Sequence, residues 1–271
     1  MGRPLIVDQG MKYYDSHPEE VNQVIDNIRY IGLDDSAHAI ENALKGVIVH
    51  YYEKLFILTK SYEAVWIAKN RIETGDGVKR LLEEQKSGKS IFLAQSHFGA
   101  SYLMAITLMT RGLDISMVGK FPEPVGSMIV DGSDRITEKY GTGKTTLINI
   151  ADPTVDIPHE MFGALLGGKM LSNVFDENNE FCSPVSLMEK TVMGGSGMAQ
   201  ILKGFNDKKL TVATPFLVRT SDETFRFEID FHTLATENII QDFFNSLEQR
   251  IRNYQDQWYF IHELHESIPE N

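Results

Sequence analysis

Apolar residues recur along this chain with two different periods, and the change between them divides it into two portions. In the first the spacing is helical. Pro18 precedes Glu19 and Glu20, a proline in a first turn with acids at the positive end of the dipole, and Val21, Val24, Ile25 and Ile28 share one face up to Gly32. Asp34, Asp35 and Ser36 cap a longer helix with an apolar stripe of Ala37, Ile40, Ala43, Leu44, Val47, Ile48, Tyr51, Leu55 and Phe56. Its polar face mixes signs, with Glu41, Lys45, His50 and Glu53, which fits packing on a core better than lying on a membrane. Helical spacing continues through Trp66 and Ile67 and over residues 76–86.

From about residue 75 short apolar runs alternate with helical stretches. Strands are predicted at 90–95, 115–118, 147–150, 170–175, 210–219 and 224–230. Helices are predicted after Gly99, at 128–140, 158–166 and 195–205, and over 237–252, where Ile240, Phe243, Phe244, Leu247 and Ile251 form the apolar face. The segment up to Thr191 reads as an irregular loop. This alternation predicts an α/β fold with a mostly parallel central sheet flanked by helices. No linker or internal repeat divides the chain, so one domain is expected over 1–271, with a helical N-terminal portion (1–88) and an α/β core (89–271).

Composition narrows the classes. With 271 residues, 42% hydrophobic and 24% charged, the chain can bury a sizeable core. A net charge of −12 argues against nucleic acid as a partner and against stable residence on an anionic membrane. No window holds the roughly 20 apolar residues of a membrane span, and the N-terminus has no signal-peptide core. A single cysteine, Cys182, excludes an intrachain disulfide and fits a reducing compartment, so a cytoplasmic protein is expected. Cys182 itself reads as a small hydrophobe.

The candidate chemistry lies where the strand at 90–95 meets His97-Phe98-Gly99. A buried strand delivers His97 to a strand-to-helix turn, the place where ligands bind in open α/β sheets. An imidazole there can take a proton near neutral pH; a loop histidine that merely caps or packs is the alternative. Other motifs are incomplete. Gly141 to Thr146 would need a glycine at Glu138 to form a phosphate loop. Gly194-Gly195-Ser196-Gly197 would need one at Met198 to form a nucleophile elbow. His262-Glu263-Leu264-His265 lacks the zinc-protease spacing, and no metal site is expected.

Three stretches together resemble one family, the lysophospholipid and lipid A biosynthesis acyltransferases. His97-Phe98-Gly99 is similar to their histidine box, in which an acid follows five residues later. Val174-Phe175-Asp176-Glu177 resembles a strand ending in aspartate and glutamine in the lipid A branch, and Pro215 to Arg219 a later strand closing on arginine. The helix through Leu247 to Arg252, followed by Gln257-Trp258-Tyr259-Phe260-Ile261-His262, resembles that branch's C-terminal end. The order is kept from about Pro18 to His265.

The resemblance implies a glycerolipid acyltransferase-like fold and transfer of an acyl group from the phosphopantetheine thioester of an acyl carrier protein or coenzyme A. His97 takes the role of base. Two departures stand out: Tyr102 occupies the position of the family's acid, and no membrane anchor precedes the domain. Asp176 and Glu177, expected at the end of a neighbouring strand, are candidates for the missing acid, with Tyr102 itself as another. The acceptor is expected to be a small-molecule or carrier-bound amine or hydroxyl, as in specialised biosynthesis. Hydrolysis of the same thioesters, or a degenerate fold that only binds, are the alternatives. Ser101 and Arg135 are further substrate-binding candidates. Arg219 either contacts the oxyanion or the phosphopantetheine arm, or forms a surface pair with Asp222 or Glu223. Lys139, Lys144, Lys203, Lys208 and Lys209 could form a basic patch for an acidic carrier, with Lys208 and Lys209 foremost.

Overall fold

The computed structural model describes residues 3–178, 181–195 and 197–269. Four helices come first: α1 (Arg3–Ser16), α2 (Pro18–Tyr30), α3 (Ala37–Thr59) and α4 (Ser61–Asn70). α2 opens on Pro18 as its sequence predicts, and Ser36 caps α3 by accepting a bond from the Ala39 amide. α1 was not legible in sequence, because its apolar residues do not gather on one face; it forms by packing on α3. The two-residue strand β1 (Ile72–Glu73) adds a short extended segment to the helical N-terminal portion expected over 1–88. It is too short to show a period and exists through pairing with the sheet edge.

The elements then alternate: α5 (Gly75–Lys86), β2 (Ser90–Gln95), α6 (Ser101–Thr110), β3 (Ile115–Gly119), α7 (Val125–Tyr140), β4 (Thr145–Asn149), α8 (Ile157–Leu166) and β5 (Met170–Val174). A hairpin of β6 (Cys182–Leu187) and β7 (Lys190–Gly195) follows, then α9 (Gly197–Leu202), β8 (Leu210–Arg219), β9 (Phe225–His232) and α10 (Ile239–Asn253). Three short 3-10 turns, Gln255–Gln257, Tyr259–His262 and Leu264–Ser267, close the chain. The hairpin replaces the irregular loop expected before Thr191. Its turn is made by Met188 and Glu189 at φ 52° and 64°, residues that carry none of the usual turn signal for left-handed backbone.

Among the described residues a seven-stranded sheet runs in the order β1-β9-β8-β2-β5-β3-β4, parallel except for the β8–β9 pair. β2 is central and buried along its whole length. Its alternate residues feed two cores, as strand geometry requires. Phe92 and Ala94 join Leu171, Val212 and Phe216 under Phe243, Phe244 and Leu247 of α10 and Val47 of α3. Ile91 and Leu93 join Met170, Ala213 and Leu217 under Leu81 of α5 and Leu103, Met104 and Ile106 of α6. The α/β expectation is met: a mostly parallel sheet with helices on both faces.

Two glycines carry distinct backbone demands. Gly99, at φ +65°, lies so close to the end of β8 that a Cβ would stand 2.1 Å from the Leu217 carbonyl oxygen. Its amide donates to the Gln257 carbonyl at 2.8 Å, and the Ala100 amide to that of Leu217 at 2.9 Å. The turn after β2 is thus clamped between β8 and the C-terminal turns. Gly143 packs similarly, with its Cβ position 2.1 Å from the Leu113 carbonyl oxygen and its amide bonded to Met109, so residues 141–146 form a packed connection rather than an open phosphate cradle. Ser196, of the elbow-like motif, lies outside the described residues.

Gly99→Ala should destabilise the protein by about 2 kcal/mol or more, because both the φ value and the carbonyl contact must change. Chemical denaturation against the wild type measures it; a change within about 0.5 kcal/mol would contradict the clamp.

Candidate functional site

Parallel pairing sets the site. β2 and β5 run side by side to Gln95 and Val174, and the Phe175 amide donates to the Gln95 carbonyl at 3.0 Å. The next residues out, His97 and Asp176, therefore emerge together at the carboxyl edge of the sheet. Asp176 is buried and accepts three donors: the His97 amide at 2.9 Å, His97 Nδ1 at 2.8 Å and Trp258 Nε1 at 3.2 Å. This arrangement answers the cost of burying a carboxylate. Glu177 approaches from the opposite side, with Oε1 2.9 Å from His97 Nε2.

Aromatic rings wall the imidazole. Phe260 stacks on it at 5.2 Å between centroids, and Tyr259 meets it edge-on at 5.3 Å. The C-terminal turns that carry these rings are pinned back: Gln257 bonds the Arg219 amide and carbonyl through its side chain, Gln255 bonds Asp34, and Asn27 donates to the Ile261 carbonyl. Tyr259 also shares a 2.8 Å hydrogen bond with Ser101 Oγ. Behind Tyr259, with ring centroids 3.3 Å apart, stacks His50 of α3. It is buried rather than lying on the polar face that the pattern suggested, and its Nδ1 has no hydrogen-bond partner.

The two imidazoles titrate in opposite senses. Burial pushes the His50 pKa down, and the positive charges of His97, His262, Lys54 and Arg219 add to this, to about 2. Burial also opposes a charge on His97, but Asp176 and then Glu177 outweigh it and raise its pKa to about 10.

The remaining expected site residues divide. Tyr102 is not the group that orients His97: Asp176 makes that contact, while the Tyr102 ring lies against His50, and burial raises its hydroxyl pKa. The reason is geometric, since Tyr102 sits inside α6, whose axis leads away from the turn, whereas the end of β5 faces it. Arg219 forms its ion pair with Glu53 of α3 at 2.5 Å rather than with Asp222 or Glu223, and the latter meets Arg71 at 3.6 Å. Lys208 and Lys209 lie at the amino end of β8, where the Ser90 amide bonds the Lys209 carbonyl. That is the sheet edge opposite His97, about 25 Å away at the rise of an extended strand. Lys144 pairs with Asp134, and Lys139 lies 3.9 Å over the Tyr62 ring.

An apolar cavity of about 90 Å³ runs down the other side of Tyr102, between α3, α4, α6, α7 and β3. Ala105, Ile106 and Met109 line it from α6, Met117 from β3, and Ile129, Gly132 and Ile136 from α7. Because α6 runs back along the sheet, Tyr102 marks the end nearest His97, and Met109 lies roughly 10 Å deeper at the rise of a helix. Lys54 also lines this cavity, with its ammonium 5.9 Å from the Tyr102 ring centroid. Arg135 is exposed on α7 and does not line it.

Sequence reasoning did not single out Trp258, Tyr259, Phe260, His50 or Glu53 as site residues. The aromatic run at 258–260 was the available signal; for His50 and Glu53, position on the helical face of α3 pointed the wrong way. No protein-family model and no curated protein matches this chain. Among the described residues no cluster of His, Cys, Asp and Glu side chains is arranged to hold a metal ion, and no helix is long and apolar enough to cross a membrane.

Asp176→Ala should cost about 3 kcal/mol or more in denaturant unfolding, because three buried donors lose their acceptor. A loss below about 1 kcal/mol would show that water replaces the carboxylate. The raised His97 pKa has its own signature. Its stabilising contribution is complete below about pH 6.5, its unfolded value, and disappears as pH rises through about 10. Wild-type stability relative to His97→Asn should therefore decline across that window, and a difference independent of pH would contradict the pairing.

Proposed function

We propose that this protein is an acyltransferase on a glycerolipid acyltransferase-like fold. It moves an acyl group from the phosphopantetheine thioester of a carrier protein or coenzyme A to a hydroxyl or amine of a small-molecule or carrier-bound acceptor. The observation that carries this reading is the His97–Asp176 pair, bonded at 2.8 Å at the carboxyl edge of the sheet, together with an apolar cavity that starts at Tyr102, in the first turn of the helix that follows the His97 turn.

The chemistry follows from those parts. Asp176 fixes the His97 ring through Nδ1, so that Nε2, which meets Glu177 at 2.9 Å in the resting site, is the atom that accepts the proton. The acceptor's O–H or N–H proton passes to Nε2 as its heteroatom attacks the thioester carbonyl; the C–S bond then breaks, and the thiolate takes the proton back. A thioester is already activated, so one oriented base is a sufficient proton handler. The apolar cavity takes the acyl chain and holds the carbonyl near His97, converting remote binding energy into orientation. The degenerate-fold alternative drew its support from Tyr102, and the contact that a family acid would make is made here by Asp176.

Incubation with acyl-loaded carrier protein and with coenzyme A thioesters, in the presence of hydroxyl and amine acceptors, tests the reading by mass spectrometry. The acyl mass should leave the donor and appear on an acceptor. His97→Asn should lower the rate by about 10³-fold or more, and Asp176→Asn by about 10²–10⁴-fold, the upper value matching the loss on Asp-to-Asn replacement in a serine protease triad. Release of free acid alone would make the protein a thioesterase, and an unchanged donor would overturn both readings.

The cavity makes a separate prediction about chain length. Gly132 lines the cavity, and a Cβ there would meet only the far end of the Arg135 side chain, at 3.9 Å, so a side chain can start at this position without a clash. Gly132→Leu should shift donor preference to chains shorter by roughly two or more carbons, since each buried methylene is worth about 0.8 kcal/mol. An unchanged chain-length profile would place the acyl chain elsewhere.

A further inference from the structure

An acceptor has to reach the Nε2 side of His97, and that side is occupied. Glu177 Oε1 lies 2.9 Å from Nε2, while Asp176 Oδ1 lies 2.8 Å from Nδ1. A neutral imidazole offers one N–H and one lone pair, and ionised carboxylates offer lone pairs alone. Both contacts are hydrogen bonds only if the site holds one proton more than a neutral imidazole between two carboxylates, carried on the line from Nε2 to Oε1. Without that proton a ring lone pair faces a carboxylate oxygen, and the contact becomes repulsive.

The two carboxylates differ in freedom. Asp176 has a side chain 1% exposed and is held by three donors. Glu177 has a side chain 56% exposed. Its main chain is fastened by the Cys182 thiol, whose Sγ donates to the Glu177 carbonyl at 3.4 Å, while its carboxylate arm faces solvent and can rotate away.

We propose that Glu177 is a protonation-setting cap on His97: it keeps the resting imidazole loaded with a proton, and the acceptor obtains a base by displacing it. The identity of the displacing group rests on the acyl-transfer reading; the cap is a property of the resting protein. As Glu177 swings out, Nε2 loses its acceptor, its proton becomes free to exchange with solvent, and the neutral fraction of the imidazole, still held by Asp176, rises. Nε2 then takes the acceptor's proton as the new C–O or C–N bond forms and the C–S bond breaks, and the imidazolium passes that proton to the thiolate. Glu177 and a solvent proton return to close the cycle.

The other groups around the imidazole do not supply this control. Tyr259 and Phe260 present ring surfaces from the C-terminal turns, and the Tyr259 hydroxyl is engaged by Ser101. His50 of α3, behind Tyr259, is held neutral by burial and nearby positive charge. Glu263 is paired with His262 at 3.2 Å, Arg219 with Glu53 at 2.5 Å, and Lys54 and Tyr102 line the cavity.

Nitrogen-15 NMR of histidine-labelled protein, with the His97 signals assigned from His97→Asn, tests the cap without an activity assay. Wild-type His97 should keep both ring protons at pH 8. Glu177→Gln should lower its titration midpoint by about one pH unit or more. Glu177→Asp, too short to span the gap to Nε2 from the same backbone position, should lower it as well. In turnover, the acidic limb of the rate profile should move down in pH by the same amount in both variants. A wild-type His97 that is neutral at pH 7, or a midpoint unmoved in both variants, overturns the cap. A wild type that consumes no thioester counts against the acyl-transfer reading alone, and the titration still decides the cap.

Discussion

The Asp176 carboxylate is the contact on which the rest of the site depends. It is buried, so it needs donors, and the three it takes come from distant parts of the chain: the backbone and ring of His97 after β2, and the indole of Trp258 from the C-terminal turns. Each bond removes part of the desolvation cost of the same group, so the three segments hold one another in register. The ring direction of His97 follows, because Nδ1 is committed to Asp176 and Nε2 is turned toward Glu177.

Around this centre the protein is layered by sign and polarity. Carboxylates gather around His97 at Asp176, Glu177 and Glu263, while the wall at Tyr259, Phe260 and Trp258 is aromatic and the cavity beyond Tyr102 is apolar. Arg219, the strongest cation nearby, is neutralised by Glu53 and braces α3 against the end of β8. Such a cluster of carboxylates disfavours anionic ligands, in keeping with an overall charge of −12. The N-terminal helices matter here as structure: α3 supplies His50 and Glu53 to the site and Lys54 to the cavity, and α2 anchors the aromatic turns through Asn27.

Much of this was legible in sequence because it depends on local pattern. Period-two burial is not visible in β2, which is apolar through most of its length, but its extent and the His97 and Gly99 that follow were enough to mark a central strand and its turn. The acid at Asp176 could be anticipated from chain order, since a strand ending in an acid beside the His97 strand is a topological expectation. The hairpin at 182–195 was not legible, because Met188 and Glu189 adopt left-handed backbone without glycine or asparagine to announce it. β1 and α1 were hidden for a related reason: each is stabilised by its neighbour more than by its own residues.

The sequence by itself determined the fold class, the central strand, the candidate base and the shortlist of acids, because hydrophobic period, capping residues and turn glycines act over a few residues. Only the tertiary structure decided which acid meets which nitrogen. It put Asp176 on Nδ1, Glu177 on Nε2, Tyr102 against His50, and Lys208 and Lys209 on the opposite edge of the sheet. Those outcomes depend on strand order and register between segments about 80 residues apart in the chain. Side-chain spacing along one strand carries no record of which strand will lie beside it.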